Sequence, residues 1–347
     1  MNSIQAEKRR FFIGILAGLL VVIILALGGY YWFTRTQQPG KGTVQQDTIR
    51  LGLPLTPMHS LAILAEQQGF FAQAGLDVRV TEYPSGKRAL QEGLFADSVD
   101  VAGTATGPIV FHSLERDDFS VIATVFFSDD IVRVVARRDS GIQRPEDLRG
   151  KRVATQEASA VHYFLHLFLL HYNLSENDVQ RSFQKAEKLP AALANGDIDA
   201  FSLREPYVSE ASALLHDNAV VFAAPGIYRF TANLVVLNSL IEQNPAVIGK
   251  MISALIQAEE FAGKHPEQSM QIVSERLGIR AAELSALWQG LDLRVSLEQS
   301  FLLSLEDEAD WVMRSGFTDT TTRPNYLNFI YLDGLNSVKP EAITVIH

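Results

Sequence analysis

Two loops of the chain combine hydroxyl side chains with the free backbone N–H groups of a helix start, which suits them to binding an anion. In the first, Lys151–Thr155 is a short β-branched run that predicts one buried strand, and an apolar helix is predicted from Ala160 to Tyr172. Ser159 lies in the small-residue turn between them, where it can cap the helix. A strand, a short polar loop and a helix N-terminus together direct backbone N–H groups at a ligand. An ordinary βα unit with nothing bound is the alternative.

The second loop repeats this arrangement. Asp100–Gly103 predicts a short strand, Thr104 and Thr106 follow it, and Pro108 is suited to the first helical position. The hydroxyl groups of both loops could also serve as helix caps without any ligand. The recurrence of one arrangement in separate parts of the chain favours ligand binding over capping alone.

Two histidines of the predicted helix are candidate metal ligands. His162 and His166 are four residues apart on the predicted helix and could share one face, as two zinc ligands do. No glutamate follows the first histidine in the HExxH arrangement, and no third ligand is evident. The chain also has no cysteine, which excludes disulfides, thiolate nucleophiles and cysteine-based metal sites. We therefore predict no metal site, no cofactor and no catalytic residue.

Length and composition set the scale of the protein. The chain has 347 residues, of which 47% are hydrophobic and 20% charged, enough for two domains that each have a core. The formal net charge of −10 argues against nucleic acid as a partner.

The N-terminal part is predicted to cross a membrane. Residues 11–33 contain no charge and can span a hydrocarbon core of roughly 30 Å, with Lys8–Arg10 before them and an aromatic group at their end. This pattern predicts a single-pass anchor in the inner (cytoplasmic) membrane, with the remainder on the periplasmic or extracellular side. A signal peptide cleaved near Ala26–Gly28 is the alternative. The predicted segments are a cytoplasmic N-terminus at 1–10, a signal-anchor at 11–33 and a linker at 34–48.

From Ile49 onward strands alternate with helices, which is typical of parallel sheets with covered faces. Two stretches, near Asp129–Arg137 and Tyr228–Leu237, are interpreted as crossings between domains. We therefore predict an α/β protein with two lobes and parallel-rich sheets. Lobe 1 would comprise residues 49–133 with 230–347, and lobe 2 would be the inserted segment 134–229. Two lobes facing one cleft can close on a ligand about a hinge.

The chain resembles a known family of binding proteins. The segments that carry the resemblance are Leu64–Glu66, Gly69–Phe71, Gly75–Val78, Ser140–Ile142, Asp147–Lys151, Ala191–Ala200 and Glu205-Pro206. They are similar to extracytoplasmic substrate-binding proteins of ABC transporters, in the branch for aliphatic sulfonates, taurine, nitrate and thiamine-precursor pyrimidines. The resemblance implies a periplasmic-binding-protein fold of type II, a small-molecule ligand, and a permease and an ATPase as partners. The predicted anchor is a departure, because many relatives are freely soluble or lipidated.

The resemblance also implies that the ligand lies between the lobes. The residues implied to contact it are His59, Ser60, Thr104, Thr106, Asp129, Ser159, Ala160, His162, Glu205 and Thr231. Helix starts favour an anionic group, whereas Glu205 in the cleft would favour an amine, so the two together suit an aminosulfonate. The alternative is that Glu205 only opens the helix after Pro206 and pairs with Arg204.

The function expected from these observations is capture of a sulfonate or taurine-like ligand for an importer. Binding of nitrate or a pyrimidine, and a role as the ligand-sensing subunit of a signalling complex, are the alternatives. An enzyme on the same fold is a further alternative. A pyrimidine synthase would need a cysteine-rich motif that this chain lacks, and an external location argues against a biosynthetic dehydratase.

Overall fold

The computed structural model describes residues 46–288 and 290–346, and it is built on two five-stranded sheets. The predicted anchor at residues 11–33 lies outside the described residues. Within the described ranges, no helix is long and apolar enough to cross a membrane.

The strands follow one another along the chain in the order of their labels. They are β1 (Asp47–Pro54), β2 (Leu76–Tyr83), β3 (Val101–Ala105), β4 (Phe119–Ser128), β5 (Val132–Arg137), β6 (Arg152–Thr155), β7 (Gln180–Phe183), β8 (Ala200–Arg204), β9 (Ala219–Phe222) and β10 (Phe230–Leu237). The first sheet has the order β2-β1-β3-β10-β4, and the second has the order β7-β6-β8-β5-β9. We call the part of the chain built on the first sheet lobe 1 and the part built on the second sheet lobe 2.

Both sheets mix parallel and antiparallel pairs, so they are less parallel than the alternating pattern predicts. β1 pairs in parallel with β2 and β3, and β6 pairs in parallel with β7 and β8. β10 and β5 run antiparallel to both of their neighbours. These two strands enter their sheets from the other lobe. They are therefore not held to the right-handed βαβ connection that makes successive strands parallel.

The helices cover the sheets. They are α1 (Ser60–Gln67), α2 (Phe70–Gln73), α3 (Gly86–Arg88), α4 (Thr106–Ser113), α5 (Ala160–His171), α6 (Leu189–Asn195), α7 (Tyr207–Leu215), α8 (Asn238–Gln243), α9 (Pro245–Lys264), α10 (Pro266–Leu277), α11 (Ala281–Trp288), α12 (Gln299–Arg314) and α13 (Leu332–Asn336). A π-helical stretch, Ala89–Leu94, continues from α3.

The C-terminal region completes lobe 1. Its segments form bridges to the outer edge of β4, between Thr124 and Ser296 and between Phe127 and Asp292. An uncovered edge strand would expose unpaired backbone groups, so this cover protects the sheet. α12 buries Phe301, Leu305 and Trp311 against the core.

The chain passes between the lobes twice. It leaves the first sheet after β4 and enters the second at β5, and it returns from β9 to β10. The lobe boundary predicted between residues 133 and 134 falls inside β5, and the one between 229 and 230 falls at the first residue of β10. Two neighbouring crossings of this kind allow two lobes to move about one hinge.

Candidate binding site between the lobes

A cavity of about 40 Å³ lies where the two lobes meet. Lobe 1 contributes the ends of β1 and β3 and the starts of α1, α3 and α4. Lobe 2 contributes the loop before α5, the start of α5 and the end of β8. The cavity therefore lies at the carboxyl ends of parallel strands, where loops and helix starts converge.

His59 is one of three buried polar groups that face this cavity. Its ring is 2% exposed, and Nδ1 lies 3.3 Å from the Thr56 hydroxyl. Burial, together with the positive charge of Arg204, lowers the pKa of His59 to about 3. The imidazole is therefore neutral near pH 7, and its Nε2 has no hydrogen-bond partner among the described residues.

Thr104 is the second group. It lies near the end of β3, is fully buried, and lines the cavity. Its hydroxyl makes no hydrogen bond to any part of the chain that the structure describes. Buried polar groups are nearly always hydrogen-bonded, so an unpaired hydroxyl on a cavity wall indicates a missing partner.

Arg204, the last residue of β8, is the third group and carries the charge of the site. It is 7% exposed and lines the cavity from lobe 2. Burial lowers the pKa of Arg204, and the nearby Tyr207 opposes that effect. Within residues 46–288 and 290–346 no carboxylate pairs with the guanidinium. A buried charge without a counterion is costly, which points to an anion as its partner.

The start of α5 adds backbone donors. Ser159 is the N-cap residue, but its hydroxyl donates to the Gln156 carbonyl at 2.5 Å instead of capping the helix. The first N–H groups of a helix have no intrahelical partner, and the residues that carry them here, Ala160 and Val161, line the cavity. The preceding Ala158 has a φ of 52°, a left-handed conformation that is uncommon for alanine. The loop is thus held in the shape that presents this helix start to the cavity.

The structure brings some of the residues named from the sequence to the cavity and leaves others away from it. His59, Thr104, Ser159 and Ala160 line the cavity. The remaining residues, which do not line it, are Ser60, Thr106, Asp129, His162, Glu205 and Thr231.

Three of the residues away from the cavity form hydrogen bonds that hold lobe 1 together. The hydroxyl groups of Thr106 and Thr231 lie 2.9 Å apart, and Asn233 donates to the Thr231 hydroxyl at 2.9 Å. Ser60 donates its hydroxyl to the Pro57 carbonyl at 2.6 Å. Each of these hydroxyl groups therefore already has a protein partner.

The two carboxylate residues that do not line the cavity are Glu205 and Asp129. Glu205 is buried and accepts a hydrogen bond from the Ser209 N–H at 3.0 Å, at the start of α7. Glu205 therefore lies at the start of a helix, as in the alternative interpretation of the sequence. It does not pair with Arg204, however. Asp129 is exposed in the turn between β4 and β5.

His162 lies in an aromatic cluster behind the cavity. Its ring packs edge-on against Trp311 at 4.8 Å and Phe317 at 5.1 Å between centroids. Burial, with a contribution from the charge of Arg181, lowers the pKa of His162 to about 3. No group of three or more potential metal ligands occurs in the described ranges.

The site contains four polar residues that the sequence reasoning missed: Arg204, Lys87, Ser85 and Gln156. The signal for Arg204 was its place at the end of a strand, immediately before Glu205-Pro206. Ser85 and Lys87 flank Gly86 in the segment after β2, a position equivalent to the other strand–loop–helix units.

A cavity between two lobes of this topology is typical of the periplasmic-binding-protein class. The chain belongs to the NMT1/THI5-like family, whose model matches residues 56–269. The family resemblance and the two-lobed α/β fold predicted from the sequence are therefore confirmed.

Named relatives are similar over most of their length. A binding protein of Brucella abortus is 25% identical over 228 residues, which are 65% of this chain and 70% of that protein. A Bacillus subtilis protein, named as an aliphatic sulfonates-binding protein, is 27% identical over 246 residues, or 67% of this chain and 70% of the relative.

Solved structures share the fold. The periplasmic aliphatic sulphonate binding protein SsuA of Escherichia coli superposes with a TM-score of 0.69 at 19% identity, covering 84% of this chain and 98% of that one. A desulfurization enzyme, DSZB, has a TM-score of 0.60 at 17% identity, covering 85% of this chain and 100% of that one. The fold is therefore used for binding and for catalysis.

Proposed function

We propose that this protein captures a small organic sulfonate between its lobes and presents it to the permease of an ABC-type importer, without changing it chemically. The observation that carries the proposal is Arg204, a buried guanidinium on the cavity wall with no carboxylate partner in the described part of the chain. The sulfonate of the ligand would supply the missing negative charge.

The other groups on the wall suit the same ligand. A sulfonate has three oxygen atoms that accept hydrogen bonds. The Thr104 hydroxyl, the Nε2 atom of neutral His59 and the first N–H groups of α5 can each donate to them. An anion would select the histidine tautomer that carries its proton on Nε2, with Nδ1 accepting from Thr56. All of these donors are neutral, and among the buried groups of the wall Arg204 provides the formal positive charge.

The names of relatives favour a sulfonate among the possible anions. The Bacillus subtilis relative is named for aliphatic sulfonates, and an Escherichia coli relative is named as a taurine-binding periplasmic protein. A neutral pyrimidine would leave Arg204 without a counterion. Nitrate would satisfy the charge, so it is the comparison ligand in the test. Because Glu205 is engaged at the start of α7, we expect the sulfonate group, and not an amine, to dominate recognition.

The proposal also covers the membrane anchor and the boundaries of the two lobes. Residues 11–33 would hold the protein in the inner membrane, with lobe 1 (49–133 with 230–347) and lobe 2 (134–229) on the outer side. Fractionation of cells tests this part. An anchored protein stays with the membranes after a high-salt wash and is released by detergent, whereas a cleaved signal would leave it in the soluble fraction.

The binding test uses the full chain in mild detergent. We expect 1-butanesulfonate or taurine to raise the melting temperature, because a ligand at about 100 times its dissociation constant stabilises the native state by roughly 2.7 kcal/mol. Nitrate and a hydroxymethylpyrimidine serve as comparisons. A shift with the pyrimidine and none with any sulfonate would contradict the proposal. Release of sulfite from a bound sulfonate would indicate an enzyme instead of a binding protein.

A further inference from the structure

A second, larger cavity adjoins the inner one. Its volume is about 490 Å³, against about 40 Å³ for the inner cavity, and the two share Ser85, Lys87 and Gln156. We call it the outer vestibule. Of these two cavities, Arg204 lines only the inner one. An organic sulfonate whose head group lies beside Arg204 can therefore extend its far end past the shared residues into the outer vestibule.

The walls of the outer vestibule carry charged side chains from both lobes alongside apolar surface. Lobe 1 contributes Lys87, Arg88 and Glu92, and lobe 2 contributes Lys185 and Glu187. An alkyl tail would displace water from these groups without replacing the hydrogen bonds that the water makes. A tail that carries a hydrogen-bonding group would replace them. The vestibule thus favours a ligand that is polar at both ends.

Lys87 is the residue placed to recognise the second end. It lines both cavities, and it forms no ion pair within the part of the chain that the structure describes. Its neighbour Arg88 is already paired, because it donates to both carboxylate oxygens of Glu92 at 2.7 Å. Lys185 lines the vestibule alone, so Lys87 is the unpaired cation of the described residues that borders both cavities.

We infer that Lys87 selects sulfonates that carry a second anionic group, such as a carboxylate, at the outer end of a short carbon chain. The inference rests on the proposed function, because it takes the sulfonate head to lie beside Arg204. A charge-assisted hydrogen bond from Lys87 to the second group would distinguish such a ligand from a plain alkanesulfonate of similar length.

The test compares 3-sulfopropanoate with 1-butanesulfonate by calorimetry on the full chain in mild detergent. We expect wild type to bind 3-sulfopropanoate about tenfold more tightly or better, because hydrogen bonds to charged groups contribute about 1.5–3 kcal/mol. Lys87→Met should reduce the ratio of the two affinities to near one. Lys188→Met is the matched control, since Lys188 is exposed on lobe 2 and lines neither cavity, and it should retain the wild-type ratio.

The possible outcomes distinguish the role of Lys87 from sulfonate binding itself. Equal affinities in wild type, or a ratio that Lys87→Met leaves unchanged, would overturn the role of Lys87 while sulfonate binding stands. A failure of wild type to bind either sulfonate would instead overturn the proposed function, and the inference with it.

Discussion

Gly107 at the start of α4 lies directly against Ala160 at the start of α5, on the opposite lobe. A methyl group added to Gly107 would come within 2.5 Å of the Ala160 backbone nitrogen and within 2.8 Å of a Glu308 carboxylate oxygen. Both helix starts border the cavity, so the absence of a side chain at residue 107 lets the lobes approach closely enough to enclose a ligand.

Gly107→Ala is therefore expected to hold the lobes apart and to weaken sulfonate binding by tenfold or more, as measured by calorimetry. Gly263→Ala is the matched control, because Gly263 lies in α9 and an added methyl group would meet nothing within 4 Å. That control should bind normally and gain about 0.5–1 kcal/mol of stability from its higher helix propensity. Wild-type affinity in Gly107→Ala would show that this contact does not govern closure.

Thr104 and Thr106 provide a second matched comparison. Thr104→Val removes an unpaired hydroxyl from the cavity wall, so affinity should fall about tenfold while the free energy of unfolding stays the same or rises. Thr106→Val breaks the 2.9 Å hydrogen bond to Thr231 away from the cavity, so stability should fall by about 1–3 kcal/mol with affinity retained. Calorimetry and urea unfolding of both variants measure the two quantities. The opposite pattern would place the ligand against Thr106.

The mouth of the outer vestibule carries facing charges on its two sides. Hydrogen bonds to Glu92 raise the pKa of Arg88, with a smaller contribution from the charge of Glu187 on the other lobe. Arg88→Glu and Glu187→Lys should each weaken ligand binding by about two- to fivefold at low salt, as expected for exposed pairs, and the double variant should recover most of the loss. High salt should reduce the effect. Additive losses in the double variant would exclude an attraction across the mouth.

The dependence of stability on pH around neutrality should come from Glu308. Both of its carboxylate oxygens are buried without a hydrogen-bond partner in the described part of the chain, and burial raises its pKa to about 8 from an ordinary value of 4.5. Between those two values the native state holds a proton that the unfolded state has lost. The free energy of unfolding should therefore fall by about 1.4 kcal/mol per pH unit as the pH rises from about 5.5 to 7, and by about half as much per unit near pH 8. Urea unfolding should show this slope in wild type and lose it in Glu308→Gln; an equal slope in both would contradict it.

Acid pH should act in the opposite direction through His59 and His162. Each has a pKa lowered from 6.5 to about 3 in the folded protein, chiefly by burial. Between those values the unfolded state binds more protons than the native state, so these two groups reduce stability as the pH falls from 6.5 towards 3.

The local pattern of the sequence was sufficient to predict the loops but not which of their side chains face the ligand. The strand, loop and helix around Ser159 are where the pattern places them, yet its hydroxyl bonds to Gln156, and the first two residues of the helix line the cavity beside it. The sequence suggests Glu205 for the cleft, with a helix-opening role as the alternative, whereas Arg204 lines the cavity. Successive residues at the end of a strand point to opposite sides, so only one of this pair can face the cavity. The choice between them depends on how β8 is set into the second sheet.

Contacts from distant parts of the chain were the least predictable. Trp311 meets His162 and Tyr163 from α12, about 150 residues further along the chain. Periodicity predicts that α12 has a buried face but not which element that face meets. The antiparallel direction of β5 and β10 likewise follows from the crossings between lobes, which a strand pattern does not specify.

Calorimetric titration of Arg204→Met with 1-butanesulfonate tests the central claim most directly. Arg204 is expected to provide the charge for the sulfonate, so the variant should lose at least about tenfold in affinity. Its melting temperature without ligand should stay the same or rise, because a buried and unpaired guanidinium is replaced by an apolar side chain of similar length. Wild-type affinity in Arg204→Met would contradict the account.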